Sequence, residues 1–357
     1  ALVEKGRVVD LAVDDREATS PRYGAVYRGR CETLRKGLGA FVRLDRDATG
    51  FLQAGVRGAP ADAGETLLVQ IKQEGERTKD ETDGKAPVVS REIALAGRFL
   101  VHLPAGKGVK RSKKFAGAPL SPAIEEPLAA LRGGYVVRSS AAQMSPDAVI
   151  MEARALQAEA AALETRAPGR LIEGPDAVRR LLVDHPTVSL DRIAVDDRAV
   201  QEETAARLGA FAPALQARIE FDPTIDLAPF LAELRRRRVP LASGATLVIE
   251  PTEALIAVDV NAGPRADFAA VNRAAAEEIA RQLRLRALAG QIVIDFLGTE
   301  KRAFREDIRP TLEALAAADP AGWQVHGFSH LGLCETTRTR RTRPLAELLR
   351  ALDAAIV

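Results

Sequence analysis

Cysteine is nearly absent from this chain of 357 residues: there are two, Cys31 and Cys334, far apart and without a CxxC partner. A disulfide framework and a zinc knuckle are thereby excluded, and each cysteine reads as a small core residue. Histidine is also scarce, with four copies. Only His326 and His330 have a metal-like spacing; with Gly327 between them and no evident third ligand, they argue against zinc. Long apolar runs are missing. No stretch approaches the roughly 20 residues that span a bilayer, and the opening Ala1-Leu2-Val3-Glu4-Lys5 is no signal peptide. A cytoplasmic location without membrane association is therefore expected. Charge of one sign is missing too: the net charge is +2, so the whole-molecule field does not announce a polyanionic partner. With 46% hydrophobic and 28% charged residues and no internal repeat, the chain can bury two or more cores.

What the chain does have is a pair of carboxylates at the ends of two apolar runs. One run extends from Ala254 to Asn261 and carries Asp259; the other extends from Gln291 to Gly298 and carries Asp295. Short β-branched runs bounded by Gly and Pro read as buried strands. Asp in such company has to be paired or metal-bound. Between them, Phe268, Val271, Ala275, Ile279 and Leu283 recur with helical period, interspersed with Arg281, Arg284 and Arg286. A strand-helix-strand unit has a right-handed crossover that sets its strands parallel and close. Ligands gather at the carboxyl ends of parallel strands, where both Asp residues fall. An all-oxygen pair suits Mg²⁺, which keeps several waters and leaves positions open for phosphate oxygens. Two readings stay open at this level. Either the two acids share a cation, or Asp295 is an ion-paired strand-end residue beside turn-forming Asp259 and Asn261.

Basic residues cluster locally in three places. Lys107, Lys110, Arg111, Lys113 and Lys114 crowd one glycine-containing loop, Arg235 to Arg238 are consecutive, and Arg338, Arg340, Arg341 and Arg343 form a third group. Such groups are phosphate-backbone footprints when they share a face. For Arg235 to Arg238, at the end of a helix predicted over 227–238, a solvated helix terminus is the favoured reading.

Along the chain, Arg7 to Val13 alternates weakly. From Arg22 to Ala54, and again at Thr66 to Ile71, short strands punctuated by glycine suggest a small barrel. Phe41 and Phe51 could stack bases on its outside or fill its core. Arg77 to Lys85 is a charged loop, Ala94 to Leu103 a strand, and Gly134 to Val137 a strand delivering Arg138, Ser139 and Ser140 to its end. Ala148 to Thr165 is a long helix.

With these residues together, the chain resembles the RNase E/G family of bacterial endoribonucleases. The stretches 241–261 and 277–296, which hold Asp259 and Asp295, resemble the family's catalytic strand pair. Weaker likeness runs through Tyr27 to Arg30, Gly50 to Leu52, Leu68 to Lys72, Leu95 to Gly97 and Val137 to Ser139. The resemblance implies an α+β chain of several subdomains. An RNase H-like domain (1–24 and 173–238) receives an inserted OB-fold barrel (25–97) and a 5′-phosphate sensor region (98–172), and a DNase I-like catalytic α/β domain (239–357) follows. It further implies Mg²⁺, or Mn²⁺, held by Asp259 and Asp295, with Asn261 orienting a water or the scissile phosphate. Arg138, Ser139 and the backbone near Val109 would grip an RNA 5′ monophosphate, and Phe41, Phe51, Lys85, Lys110 and Arg111 would contact single-stranded RNA. The implied reaction is endoribonucleolytic hydrolysis leaving a 5′ phosphate and a 3′ hydroxyl, in RNA processing or decay. A non-catalytic RNA-binding relative and a phosphoesterase for small nucleotides are the alternatives. Departures from the pattern are the missing cysteine pair of the family's zinc link, a shorter Asp259-to-Asp295 connection near Gly263, Ser139 where the sensor has Thr, and Leu44 where the barrel has a third aromatic. No zinc is expected, and any oligomer would form without a zinc link.

Overall fold

Five short strands between Val26 and Ser90 close on themselves. In the computed structural model these are Val26–Arg35, Gly39–Arg43, Thr49–Gln53, Thr66–Gln73 and Val88–Ser90; the first pairs with both the second and the fourth, and the last bridges the third and fourth. The structure describes residues 1–14, 21–54, 62–75, 84–113, 115, 119–186, 189–242, 244–263 and 266–356. A closed barrel leaves no open edge and sorts side chains by alternation. Ala40 and Val42 enter its core with Cys31, Val69 and Ile71, while Phe41 and Arg43 point away. Leu44 belongs to that core at 2% exposure, so the position where an outward aromatic is expected holds a core leucine instead. Gly39 has φ +147°, and a Cβ there would lie 2.1 Å from the Leu52 carbonyl oxygen and 3.0 Å from the Phe51 ring. Only glycine fits.

The chain forms two compact units, one of residues 1–15 with 227–357 and the other of residues 16–226. The hairpin Leu2–Glu4/Arg7–Asp10 groups with the C-terminal unit, which also takes in residues 227–238. The physical reason is specific. Arg281 and Arg284 donate to the Val8 and Val9 carbonyls at 2.7 and 3.3 Å, and Arg7 pairs with the buried Glu278.

Beyond the barrel, the second unit holds a four-stranded sheet in the order Gly108–Arg111, Gly134–Val137, Leu100–Leu103, Leu95–Ala96. The strand expected over 94–103 is thus broken into two at Gly97. Helix Pro146–Ala160 packs on it through Val149, Ala153 and Leu156. Farther on, Ile193–Val195 pairs in parallel with Ile219–Phe221, beside a small core of Leu182, Leu208 and Ala212.

The first unit is built on a six-stranded sheet in the order Arg238–Pro240, Thr246–Pro251, Ile256–Asn261, Gly290–Asp295, Cys334–Arg338, Trp323–Phe328. Among these neighbours Ile256–Asn261 and Gly290–Asp295 are parallel and the rest antiparallel. Helix Phe268–Leu285 makes the crossover, capped by the Asp267 side chain on the Ala269 N–H, and buries Val271, Ala275, Ile279 and Leu283. Each large aliphatic among them contributes about 1.5–3 kcal/mol on burial. With Ile308 and Leu312 of helix Arg302–Ala318 they cover Val258, Val260, Ile292 and Ile294. Strand alternation then turns Asp259, Asn261 and Asp295 to the opposite, exposed face. The helix predicted over 227–238 is shorter, Ala228–Leu234, because Val239 pairs with Leu247 and enters the sheet core.

Candidate active site

Asp259 and Asp295 are direct register partners on the two parallel strands. Side chains at equivalent positions on neighbouring strands share a face about 4.8 Å apart, so the two carboxylates stand side by side. Both residues are exposed. Partial burial, then the negative fields of Asp259 and Glu300, holds the Asp295 carboxyl above the ordinary aspartate range. A cation between the two acids would relieve that repulsion, so the pair fits a metal by its charge. Asn261 donates from Nδ2 to Asp259 Oδ2 at 2.7 Å, so its amide orients a carboxylate of the pair. Among the described residues no group of three or more His, Cys, Asp or Glu side chains could hold an ion. Two carboxylates side by side are a pair whose chemistry would suit a hard cation that retains water. His326 is engaged elsewhere, its Nε2 lying 2.8 Å from Thr337 Oγ1.

The loop after Asp295 is fixed from the crossover helix. Asn272, 1% exposed, donates to the Leu297 carbonyl at 2.9 Å and accepts from the Leu297 N–H at 3.0 Å. Sequence reading missed this residue, because one Asn in an amphipathic helix carries no signal until its partner is located.

A profile of the Ribonuclease E/G family matches residues 94–341, more than half of the chain. The chain belongs to the Ribonuclease E/G family. It is 30% identical to Ribonuclease E of Nostoc sp., an alignment covering 91% of this chain and 52% of that protein. It is 27% identical to Ribonuclease G of Escherichia coli, over 98% of this chain and 79% of the other. Identity to Ribonuclease E of Synechocystis sp. is 27%, over 98% and 56%. The chain thus spans about half the length of these two Ribonuclease E relatives.

In this Ribonuclease E/G family member the residues expected to meet a 5′ phosphate are split: Val109 lies on strand Gly108–Arg111, while Arg138 and Ser139 directly follow the parallel strand Gly134–Val137. Val109 pairs with Tyr135 and Arg111 with Val137, so Arg111 ends its strand beside Val137, the residue before Arg138. Arg138 is half-buried and donates from Nη1 to the Gly97 carbonyl at 2.7 Å; Ser139 beside it is exposed. Lys110 and Arg111 are exposed, whereas Lys114 lies outside the described residues. On the barrel, Phe41 and Phe51 are register partners with ring centroids 5.2 Å apart, half-exposed and outside the core. Lys85 is exposed, while 76–83, most of the charged loop before it, and residues 264–265 of the shortened connection are outside the described residues.

Two basic clusters take other roles. Arg235 makes a bidentate pair with Asp353 at 2.7 and 2.9 Å, and Arg237 pairs with Glu250. Arg338 is 8% exposed, bonded through Nε to Asp319 at 3.1 Å and through Nη1 to the Leu283 and Leu288 carbonyls. A guanidinium so buried ties helix ends to the sheet and offers nothing to RNA. The expected third footprint therefore loses its first member, and Arg343 is buried as well, at 6%.

Proposed function

We propose that this protein is an Mg²⁺-dependent endoribonuclease acting on single-stranded RNA, with a preference for 5′-monophosphorylated ends. The observation that carries the reading is the in-register pair Asp259 and Asp295 at exposed positions of two parallel strands. Asp259 and Asp295 would hold the ion, and Asn261 keeps the Asp259 carboxylate turned for that purpose. When bound, Mg²⁺ supplies positive charge against the phosphoryl oxygens and lowers the pKa of a coordinated water. In the reaction, water adds to phosphorus as the bond to the 3′ oxygen breaks, leaving a 5′ phosphate and a 3′ hydroxyl. Family membership supports RNA as substrate, since the aligned relatives are named Ribonuclease E and Ribonuclease G. The six-stranded unit is read as the family's DNase I-like catalytic domain, the barrel as its OB-fold, and the small parallel pair near 193–221 as part of its RNase H-like domain.

The half-exposed Phe41 and Phe51 rings support an unpaired substrate, because stacking on an open aromatic face requires bases that are not already paired. Arg138 and Ser139 combine a planar fork with a small hydroxyl, a combination apt for a terminal phosphate. The deciding experiment follows cleavage of a labelled single-stranded RNA with Mg²⁺ and with EDTA, in wild type and Asp295→Asn. The expected result is metal-dependent product with a 5′ phosphate in wild type and a loss of at least about 100-fold in the variant, with RNA affinity nearly intact. Normal cutting by Asp295→Asn would sink the proposal, and RNA binding without cleavage by wild type would favour a non-catalytic RNA-binding relative.

A further inference from the structure

Gly97, Arg98 and Phe99 form a tight turn between the short strands Leu95–Ala96 and Leu100–Leu103, closed by the Gly97 N–H on the Leu100 carbonyl at 2.8 Å. Its backbone is committed in two opposite directions. Glu152, 5% exposed on helix Pro146–Ala160, accepts from the Arg98, Phe99 and Leu100 N–H groups at 2.6, 2.7 and 2.9 Å. The turn's three carbonyls all go to the segment after strand Gly134–Val137. Gly97 accepts from Arg138 Nη1 at 2.7 Å, Arg98 from Ser140 Oγ at 2.8 Å, and Phe99 from the Arg138 N–H at 2.8 Å. Successive N–H groups of this kind make a nest that binds anions, and here the chain's own carboxylate fills it. Gly97 is required by the arrangement. A Cβ there would lie 2.5 Å from Glu152 Cδ.

We infer that Glu152 is the positioning residue of the 5′-phosphate site, acting through the Gly97–Phe99 turn to set the guanidinium of Arg138. This rests on the reading of Arg138 as the phosphate-binding group. The chemistry needs an acceptor-only side chain with at least three lone-pair sites, which a carboxylate has and an amide lacks. With Gln at this position, an NH₂ group would face one or more of the three N–H donors, the turn would shift, and the Gly97 carbonyl that holds Arg138 Nη1 would shift with it. Burial holds the Glu152 carboxyl above the ordinary glutamate range on balance, against the downward pull of the three backbone N–H groups and then Arg98. The turn's donors thus favour the charged form that the clamp requires.

The test measures kcat/KM on one RNA sequence carrying either a 5′ monophosphate or a 5′ hydroxyl, and reads their ratio in wild type, Arg138→Ala, Glu152→Gln and Ser140→Ala. The ratio in Glu152→Gln is expected to fall at least about fivefold toward one, with a smaller fall in Ser140→Ala. A role confined to stability would lower both substrates alike and leave the ratio unchanged. A folded Glu152→Gln with the wild-type ratio overturns the inference; should that variant fail to fold by near-UV circular dichroism, an unchanged ratio in Ser140→Ala overturns it instead. Loss of the ratio in Arg138→Ala alone refutes the clamp and spares the phosphate-site reading. A wild type that does not discriminate, or an Arg138→Ala that still does, overturns both.

Discussion

Asn272 grips Leu297 with both atoms of its amide, donating to the carbonyl and accepting from the N–H of the residue two places after Asp295. The crossover helix that sets the two acid-bearing strands parallel therefore also fixes the backbone that leaves the second carboxylate. Asn272→Ala would break both hydrogen bonds in a buried place and is expected to cost about 2–3 kcal/mol. Chemical denaturation checks the stability. Steady-state kinetics should show kcat falling more than RNA affinity, and equal loss in both would argue that the helix acts only as scaffold.

The raised pKa of Asp295 has opposite consequences for activity and for stability. Metal binding needs the charged form, so activity should fall with acid at a higher pH than an ordinary aspartate would give. For the metal-free fold the sign reverses: a raised carboxyl contributes stability that is present below the unfolded value and lost as pH rises through the folded one. Asp295→Asn should therefore melt at or slightly above wild type at neutral pH, a small gain because the carboxyl is largely solvated. Added Mg²⁺ should raise the wild-type melting temperature and leave that of the variant unmoved.

Phe41 and Phe51 touch each other across two barrel strands and sit outside the core. Replacing either with Ala should weaken single-stranded RNA binding by about 1–2 kcal/mol, roughly 5- to 30-fold, with little change in melting temperature. The double variant should lose less than the sum, since the rings share one stacking surface. Fluorescence anisotropy with a labelled oligonucleotide would measure this, and unchanged affinity would remove the barrel from the RNA path.

Both cysteines are buried, and burial pushes the Cys334 thiol up to about 12. Each packs in a hydrophobic core, Cys31 in that of the barrel and Cys334 in that of the six-stranded sheet. EDTA should stop cleavage without altering the sedimentation coefficient. A shift in oligomeric state on chelation would reveal a metal link that the sequence reading does not expect.

Much of the arrangement around the two acids was legible from the chain. Val, Ile and Leu between Ala254 and Leu297 show period 2 or continuous burial, those of the intervening helix show period 3.6, and handed crossovers then leave few ways to join them. The Arg338 group was not legible. In sequence it is one of four arginines between 338 and 343; only the fold brings Asp319 and the Leu283 and Leu288 carbonyls to it and turns a candidate RNA contact into a buried tie. Glu152 was hidden for the opposite reason. It sits in an Ala- and Glu-rich helix, and nothing local marks it as the acid that faces three backbone donors.

The division follows from the range of the forces. Sequence by itself determined the strands, the helix between them and the presence of two acids at strand ends, because local propensity and hydrophobic period act within a turn or a pleat. Only the tertiary structure decided that Asp259 lies opposite Asp295, that the hairpin residues Val8 and Val9 join the C-terminal unit, and that Gly97 breaks a strand to receive Glu152. Those outcomes depend on register and on buried polar pairing between residues far apart in the chain, where the cost of an unsatisfied group selects one arrangement.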